Sequence, residues 1–213
     1  MKQSLKYLVG VVGLLLLVAA CTPPNTDLSV DDFEVEELFS GSEEGTNLGI
    51  GFQTWGDFGN GAAIALAVET DDNNKVLKAS VTAGGWGVGF SHAFTNEDQN
   101  AWTAQDWSEY KTLTLRFKGV NSGKTVRLDL FDNRPADSTS DNAERFFVNI
   151  TDDSADWKDV SIALSDFARR TDWQPEGALD DGLTLSAVHG YAFDFGQTEG
   201  SNDFFIDSIT LSK

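Results

Sequence analysis

Apolar and polar residues alternate with period two in short runs through the second half of the chain: Leu113 to Phe117, Val126 to Phe131, Phe146 to Ile150, Val160 to Leu164, Tyr191 to Phe195 and Phe204 to Leu211. Successive side chains of a strand point to opposite faces, so each run predicts a strand with one face buried. Turn-forming stretches such as Val120-Asn121-Ser122-Gly123-Lys124 separate the runs, and helical spacing is confined to a single turn at Leu164 to Arg169. Many short strands at turn-separated intervals predict an all-β protein, a β-sandwich of the jelly-roll type. Parity also assigns faces. With Leu128 and Leu130 in the core, Arg127, Asp129 and Phe131 share the opposite face. With Tyr191, Phe193 and Phe195 in the core, Ala192 and Asp194 turn outward; the inverted parity would make Tyr191 and Phe193 platforms for a ligand. Two glycine-aromatic segments, Gly49 to Gly61 and Gly84 to Phe90, break the pattern. Glycine weakens strands and marks bends or a close approach of ligand or backbone, so the aromatics there either stack on a ligand or plug the ends of the core.

The first 20 residues predict a different fate. Lys2 and Lys6 precede an apolar run from Tyr7 to Ala20, the layout of a secretory signal and short for a membrane span. Val18-Ala19-Ala20-Cys21 resembles the lipobox of bacterial lipoproteins, in which the cysteine is lipidated. Cys21 is the sole cysteine, so an intrachain disulfide is impossible. The expected organisation is a lipoprotein signal over residues 1–20, a tether with the lipidated cysteine over 21–30, and one domain over 31–213. That arrangement predicts a protein of the bacterial cell envelope, held at a membrane, preferably the outer one, by its lipid anchor.

Charge narrows the partners. The first 21 residues hold two of the 15 Lys and Arg and none of the 34 Asp and Glu, which leaves the remainder at a net charge of −21. Nucleic acid requires a basic footprint and is excluded as a partner, and an anionic polysaccharide is disfavoured on the same ground. Neutral sugars and calcium stay open.

The candidate chemistry concentrates in Asp166 to Gly177, where Arg169, Arg170, Asp172, Trp173 and Gln174 precede a turn. An indole offers a flat apolar face to the C–H side of a pyranose, while Arg, Asp and Gln supply directional donors and acceptors for its hydroxyls. The alternative is a surface loop with Trp173 packed inward. Asp32 and Glu34, two apart on the first strand and so pointing the same way, and Asp207 on the last strand are candidate oxygen ligands for Ca²⁺, with carbonyls near Asn74 or Lys75; otherwise they are ordinary acidic strand ends. Asp152-Asp153 is a weaker acidic cluster. Catalysis finds little support: no Gly-x-Ser-x-Gly elbow is present, His92 and His189 lack zinc-site spacing, and among 34 acids some pair always satisfies the carboxylate separation of a glycosidase by chance.

Three stretches carry a resemblance to a known family: Asp31-Asp32-Phe33-Glu34, the run from Asp156 to Pro175, and Phe205 to Leu211, with Asp106 to Tyr110 also fitting. Together they resemble the family 11 carbohydrate-binding modules, jelly rolls of the galactose-binding-like superfold appended to bacterial β-glucanases. The resemblance implies a cleft on one sheet for a linear β-glucan with β-1,4 or mixed β-1,3-1,4 linkages. Carried over, it places Arg170, Asp172 and Trp173 in that cleft, the last in place of the family's tyrosine. Trp86 follows Gly85, where members have an aromatic; an expected tyrosine falls on Ala192 or Tyr191; and Asn142, beside Asp141, stands for a cleft aspartate. Arg127, Asp129 and Asp194 join the set through strand parity. The segment from Trp55 to Gly61 is also similar to the intermediate-associated protein 30 type of domain. The expected function is an anchored, non-catalytic module that binds neutral polysaccharide for partner glycoside hydrolases. The competing readings are a weak β-glucanase and an envelope assembly protein of the same fold.

Overall fold

The computed structural model describes residues 27–135 and 138–213, which places the expected signal, Cys21 and most of the tether outside the described residues. The fold is a sandwich of two antiparallel sheets. The strands are β1 Leu28–Asp31, β2 Ser40–Ser42, β3 Gly49–Gly56, β4 Ala63–Asp71, β5 Asn74–Thr82, β6 Val88–Ala93, β7 Thr112–Lys118, β8 Thr125–Phe131, β9 Arg145–Thr151, β10 Lys158–Ala163, β11 Ala168–Arg169, β12 Gly190–Asp194 and β13 Ser201–Ser212. One sheet runs β10-β7-β13-β5-β4 with β1 beside β13, and the other runs β11-β9-β8-β12-β6-β3-β2. All six alternating runs are strands, and the single turn after β10 is a 3-10 turn at Leu164–Asp166.

The core lies between the sheets and is rich in phenylalanine. Phe90, Phe193 and Phe195 of the seven-stranded side stack on one another, and Phe195 meets Phe204 of the other sheet with centroids 4.8 Å apart. Tyr191, Phe193 and Phe195 are all buried, which selects the first of the two parities for β12 and turns Ala192 and Asp194 to the far side of the sheet.

Two features differ from the sequence reading. The glycine-aromatic segments are mostly strand: β3 and β6 pair from Gly51 opposite Ala93 to Gly56 opposite Val88, and Phe52 and Phe90 enter the core. The hairpin of β4 and β5 contributes Leu77, Ala79 and Val81 to the core. Asp32 and Glu34 lie beyond the end of β1, not on it, and Phe33 between them turns into the core at a φ of 56°. The rule that strand residues two apart point alike therefore does not govern this pair. The terminal strands do pair, with Leu28 opposite Leu211.

Asp152 is explained by folding. Its buried carboxylate accepts N–H groups of Val120, Asn121 and Ser122 and the Ser122 hydroxyl, stapling the turn before β8, while Asp153 pairs with Lys158.

Candidate ligand-binding cleft

On the outer face of the seven-stranded sheet, register aligns side chains in rows. One row runs Trp55, Gly89, Asp194, Arg127, Asn149 across β3, β6, β12, β8 and β9; the next runs Gln53, Ser91, Ala192, Asp129, Phe147. The central strands carry small residues at Gly89, Ser91 and Ala192, so the middle of this face is low. At Gly89 a Cβ would lie 2.5 Å from the Trp55 ring and 2.1 Å from the Phe193 carbonyl, so glycine is what lets the indole lie over the sheet.

Two loops and a turn raise the walls. Residues 170–189 bring Arg170, Asp172 and Trp173; the connection from β8 to β9 brings Asp141; the turn at Gly84 to Gly87 brings Trp86. The resulting cleft has a volume of about 740 Å³. Trp86 is 71% exposed and stacks parallel to Trp55 at 6.2 Å, and Trp173 is 50% exposed with the Arg170 guanidinium 5.3 Å from its ring. Both indoles thus present apolar faces to solvent at the walls of one cleft, and Trp173 is not a core residue.

A charge lattice lies between them. Arg127 bonds Asp194 at 2.5 Å and lies 3.0 Å from Asp129, though Nε and Oδ1 there are not aligned as a hydrogen bond. Arg170 grips Asp172 with two N–H donors at 2.7 and 3.0 Å and reaches Asp129 at 3.2 Å. Arg145 lies over Phe131, 3.7 Å from the ring centroid, and binds both oxygens of Asp141 at 2.6 and 2.8 Å. Phe131, expected beside exposed charges, is covered by this guanidinium and by Trp102. Hydrogen bonds from Arg170 hold the Asp172 carboxyl down at about 2, whereas burial pushes Asp129 up against the pull of Arg127 and Arg170. Asp129, Asp141, Asp172 and Asp194 face three guanidiniums, so the cleft is almost charge-balanced within a strongly acidic protein.

Of the expected ligand residues, the structure brings Arg170, Asp172, Trp173, Trp86, Arg127, Asp129 and Asp194 together. Asn142 is the correction: it is 8% exposed and its Oδ1 accepts the Ser138 hydroxyl, so it braces the loop behind the cleft, and Asp141 lines the cleft in its stead. Gln174 is likewise structural; its amide donates to the carbonyls of Arg145 and Arg170 and accepts the Arg145 N–H, holding the 170s loop against β9. Ser91, Arg145 and Gln197 also line the cleft and were not anticipated, and Trp55 takes the first of the two fates open to the aromatics of its segment, at the cleft and not in the core. Parity could have reached Arg145, which stands opposite Phe131; Gln197, on a connection, left no pattern to read.

The expected calcium ligands come together in part. Asp207 is buried, its Oδ2 taking Asn74 and Arg116 and its Oδ1 without a partner; Glu34 accepts the N–H of the adjacent Lys75 at 3.0 Å. An orphaned buried carboxylate oxygen fits a cation ligand. Asp32 instead accepts the Glu34 N–H. Among the described residues, the one set of three carboxylates within 4.8 Å of one another is Asp132, Glu144 and Asp181.

A family model described as carbohydrate binding domain (family 11) matches residues 19–212. Endoglucanase H of Acetivibrio thermocellus is 26% identical over 166 residues, which is 76% of this chain and 17% of that enzyme. The chain therefore spans a small part of its curated relative. A family 11 carbohydrate-binding module of Clostridium thermocellum, solved in complex with a β-1,3-1,4-mixed-linked tetrasaccharide, superposes with a TM-score of 0.66 at 23% identity, covering 87% of this chain and 95% of that one. A family 30 carbohydrate-binding module of a cellulosomal cellulase from the same organism shares the fold at a TM-score of 0.53 and 18% identity, covering 88% of this chain and 97% of its own. With a cleft walled by two open indoles and a family match over nearly its whole length, the chain belongs to the family 11 carbohydrate-binding domains.

Proposed function

We propose that the protein grips a neutral, linear β-glucan with β-1,4 or mixed β-1,3-1,4 linkages in this cleft and does not cut it. The observation that carries the reading is the pair of exposed indoles, Trp86 and Trp173, on one cleft whose guanidiniums are matched by carboxylates. Each indole would cover the C–H face of a sugar ring, and the lattice between them would offer both N–H donors and carboxylate acceptors to hydroxyls. Because the charges already hold one another, the groups are ordered before the ligand arrives, which lowers the cost of binding. The tetrasaccharide complex of the similar Clostridium thermocellum module supports the choice of ligand class.

The carboxylates are placed for holding rather than for proton transfer. Asp172 stays ionised to about 2, and Asp129 is 3% exposed between two arginines, whereas a general acid needs a reachable proton near the working pH. Burying an aromatic face of 150 to 250 Å² gives at most about 4 to 6 kcal/mol, of which association costs consume a large share, so a single chain binds in roughly the micromolar to millimolar range. Lipidation of Cys21 in the outer membrane would offset this by presenting many copies to one polymer beside partner glycoside hydrolases. Calcium held by Asp207 and Glu34, with Asp32 and carbonyls near Asn74, would tie the segment after β1 and strand β13 to β5 and add stability at that corner.

Affinity electrophoresis through gels containing barley β-glucan tests the reading. Retardation of the wild-type protein is expected, with Trp86→Ala and Trp173→Ala each weakening affinity by roughly tenfold or more. Wild-type mobility that is the same with and without glucan would overturn it.

A further inference from the structure

We propose that Asp57 is a positioning residue for the cleft: its carboxylate holds the turn that carries Trp86 and so sets that indole over Trp55. The proposal rests on the sugar-binding reading above and concerns how one of the two open indoles is kept ready for its ligand.

Trp86 is 71% exposed, so packing in the core does not fix it. Glycines surround it: Gly84 and Gly85 precede it, Gly85 at a φ of 57°, and Gly87 follows. Glycine has more backbone freedom than any other residue, so a tryptophan in such a turn needs an outside hold.

Asp57 supplies that hold at two points. Its backbone N–H donates to the Gly87 carbonyl at 3.0 Å, and its Oδ2 accepts the Trp86 N–H at 3.3 Å. The carboxylate is itself fixed, because the Asn60 side-chain nitrogen lies 2.9 Å from both of its oxygens. The turn rests on this support with no side chain between. A Cβ at Gly85 would come within 2.1 Å of Asp57 Oδ2, and one at Gly84 within 2.6 Å of the Ala62 backbone nitrogen.

The partner of the ring comes from the same place. Trp55, two residues before Asp57, stacks on Trp86 with centroids 6.2 Å and planes 4° apart. The end of β3 thus delivers both the ring that orients the indole and the carboxylate that holds its main chain. Sheet pairing stops at Gly56 opposite Val88, so the hold falls where the ladder no longer provides one. Without the carboxylate, the turn would have to be ordered at each binding event, and the affinity contributed by Trp86 would fall.

The competing role for Asp57 is to staple its own loop through Asn60 alone. One test needs no glucan. Trp55 and Trp86 are the one stacked pair of tryptophans among the described residues, so their exciton couplet in circular dichroism of the purified protein reports the stack. Trp86→Ala should abolish the couplet and Asp57→Ala should sharply reduce it. Asp57→Asn, which keeps an acceptor for the Trp86 N–H, should recover most of it. A wild-type couplet in Asp57→Ala would overturn the proposal, and so would equal loss in both Asp57 variants, which would mark a general disturbance of the loop. A double-mutant cycle with barley β-glucan is the second test. Asp57→Ala should weaken affinity about threefold or more in wild type and in Trp173→Ala, and add no loss in Trp86→Ala. Equal losses in all three backgrounds would also overturn it. Should wild type not bind glucan while the couplet behaves as expected, the function proposed above fails and the placing of Trp86 by Asp57 stands.

Discussion

Asp172 shows how much of this site is set by one side chain's immediate partners. Its carboxylate is mostly exposed, yet two N–H donors from Arg170 hold its pKa at about 2. The folded value lies below the unfolded one of about 3.9, so the stabilisation is present above pH 4 and is lost as pH falls towards 2. Melting temperatures of wild type and Asp172→Asn should therefore differ by a constant amount from pH 7 to about 4 and converge near pH 2. A difference that closes already between pH 7 and 5 would show that Asp172 is not held in this way. Trp173 owes its position to the same guanidinium, which lies against its ring and braces it without hiding it.

At the level of elements, β6 determines the shape of the cleft. Its outward positions, Gly89 and Ser91, are small where neighbouring strands carry Trp55, Arg127 and Asp129, and the trough follows from that difference. Gly89→Ala should cost about 1–3 kcal/mol through overpacking and should also weaken glucan binding, since the new methyl meets the Trp55 ring on which Trp86 stacks. Gly59→Ala is the control: a Cβ there meets nothing within 4 Å, and stability should stay within about 0.5 kcal/mol of wild type by thermal melting. Strand existence and facing were legible for β7 to β10, β12 and β13, because one face of each is apolar and the other polar. The glycine-aromatic strands β3 and β6 were not legible, since glycine at a sheet position scores as a bend until the neighbour it makes room for is known. Trp55 reaches the cleft through register, which alternation within one strand does not contain.

For the molecule as a whole, the two sheets are tied together by a half-buried clamp. Asp31 of β1 accepts the Tyr191 hydroxyl at 2.7 Å and pairs with His92 Nδ1 at 2.8 Å, joining the first strand of one sheet to β6 and β12 of the other. Burial, and then Asp31, raise the Tyr191 phenol well above its ordinary value, so it stays a donor at every working pH. Asp31→Ala leaves the buried Tyr191 hydroxyl without its acceptor and should cost about 1–3 kcal/mol in denaturant unfolding. Glucan affinity at 25 °C should be unchanged, because Tyr191 and His92 face away from the cleft. Loss of affinity in a folded Asp31→Ala protein would mean that the clamp also sets the cleft.

What the sequence determined by itself is the part governed by local periodicity and chemistry. It contains the all-β class, the faces of the regular strands, the absence of a basic footprint, and the grouping of an indole with directional polar side chains at Arg170, Asp172 and Trp173. Only tertiary structure decided the rest, because it depends on which strands become neighbours and in what register. That pairing put Gly89 beneath Trp55, laid Arg145 over Phe131, set Asp141 rather than Asn142 at the cleft, and drew Asp132, Glu144 and Asp181 together from three separate segments.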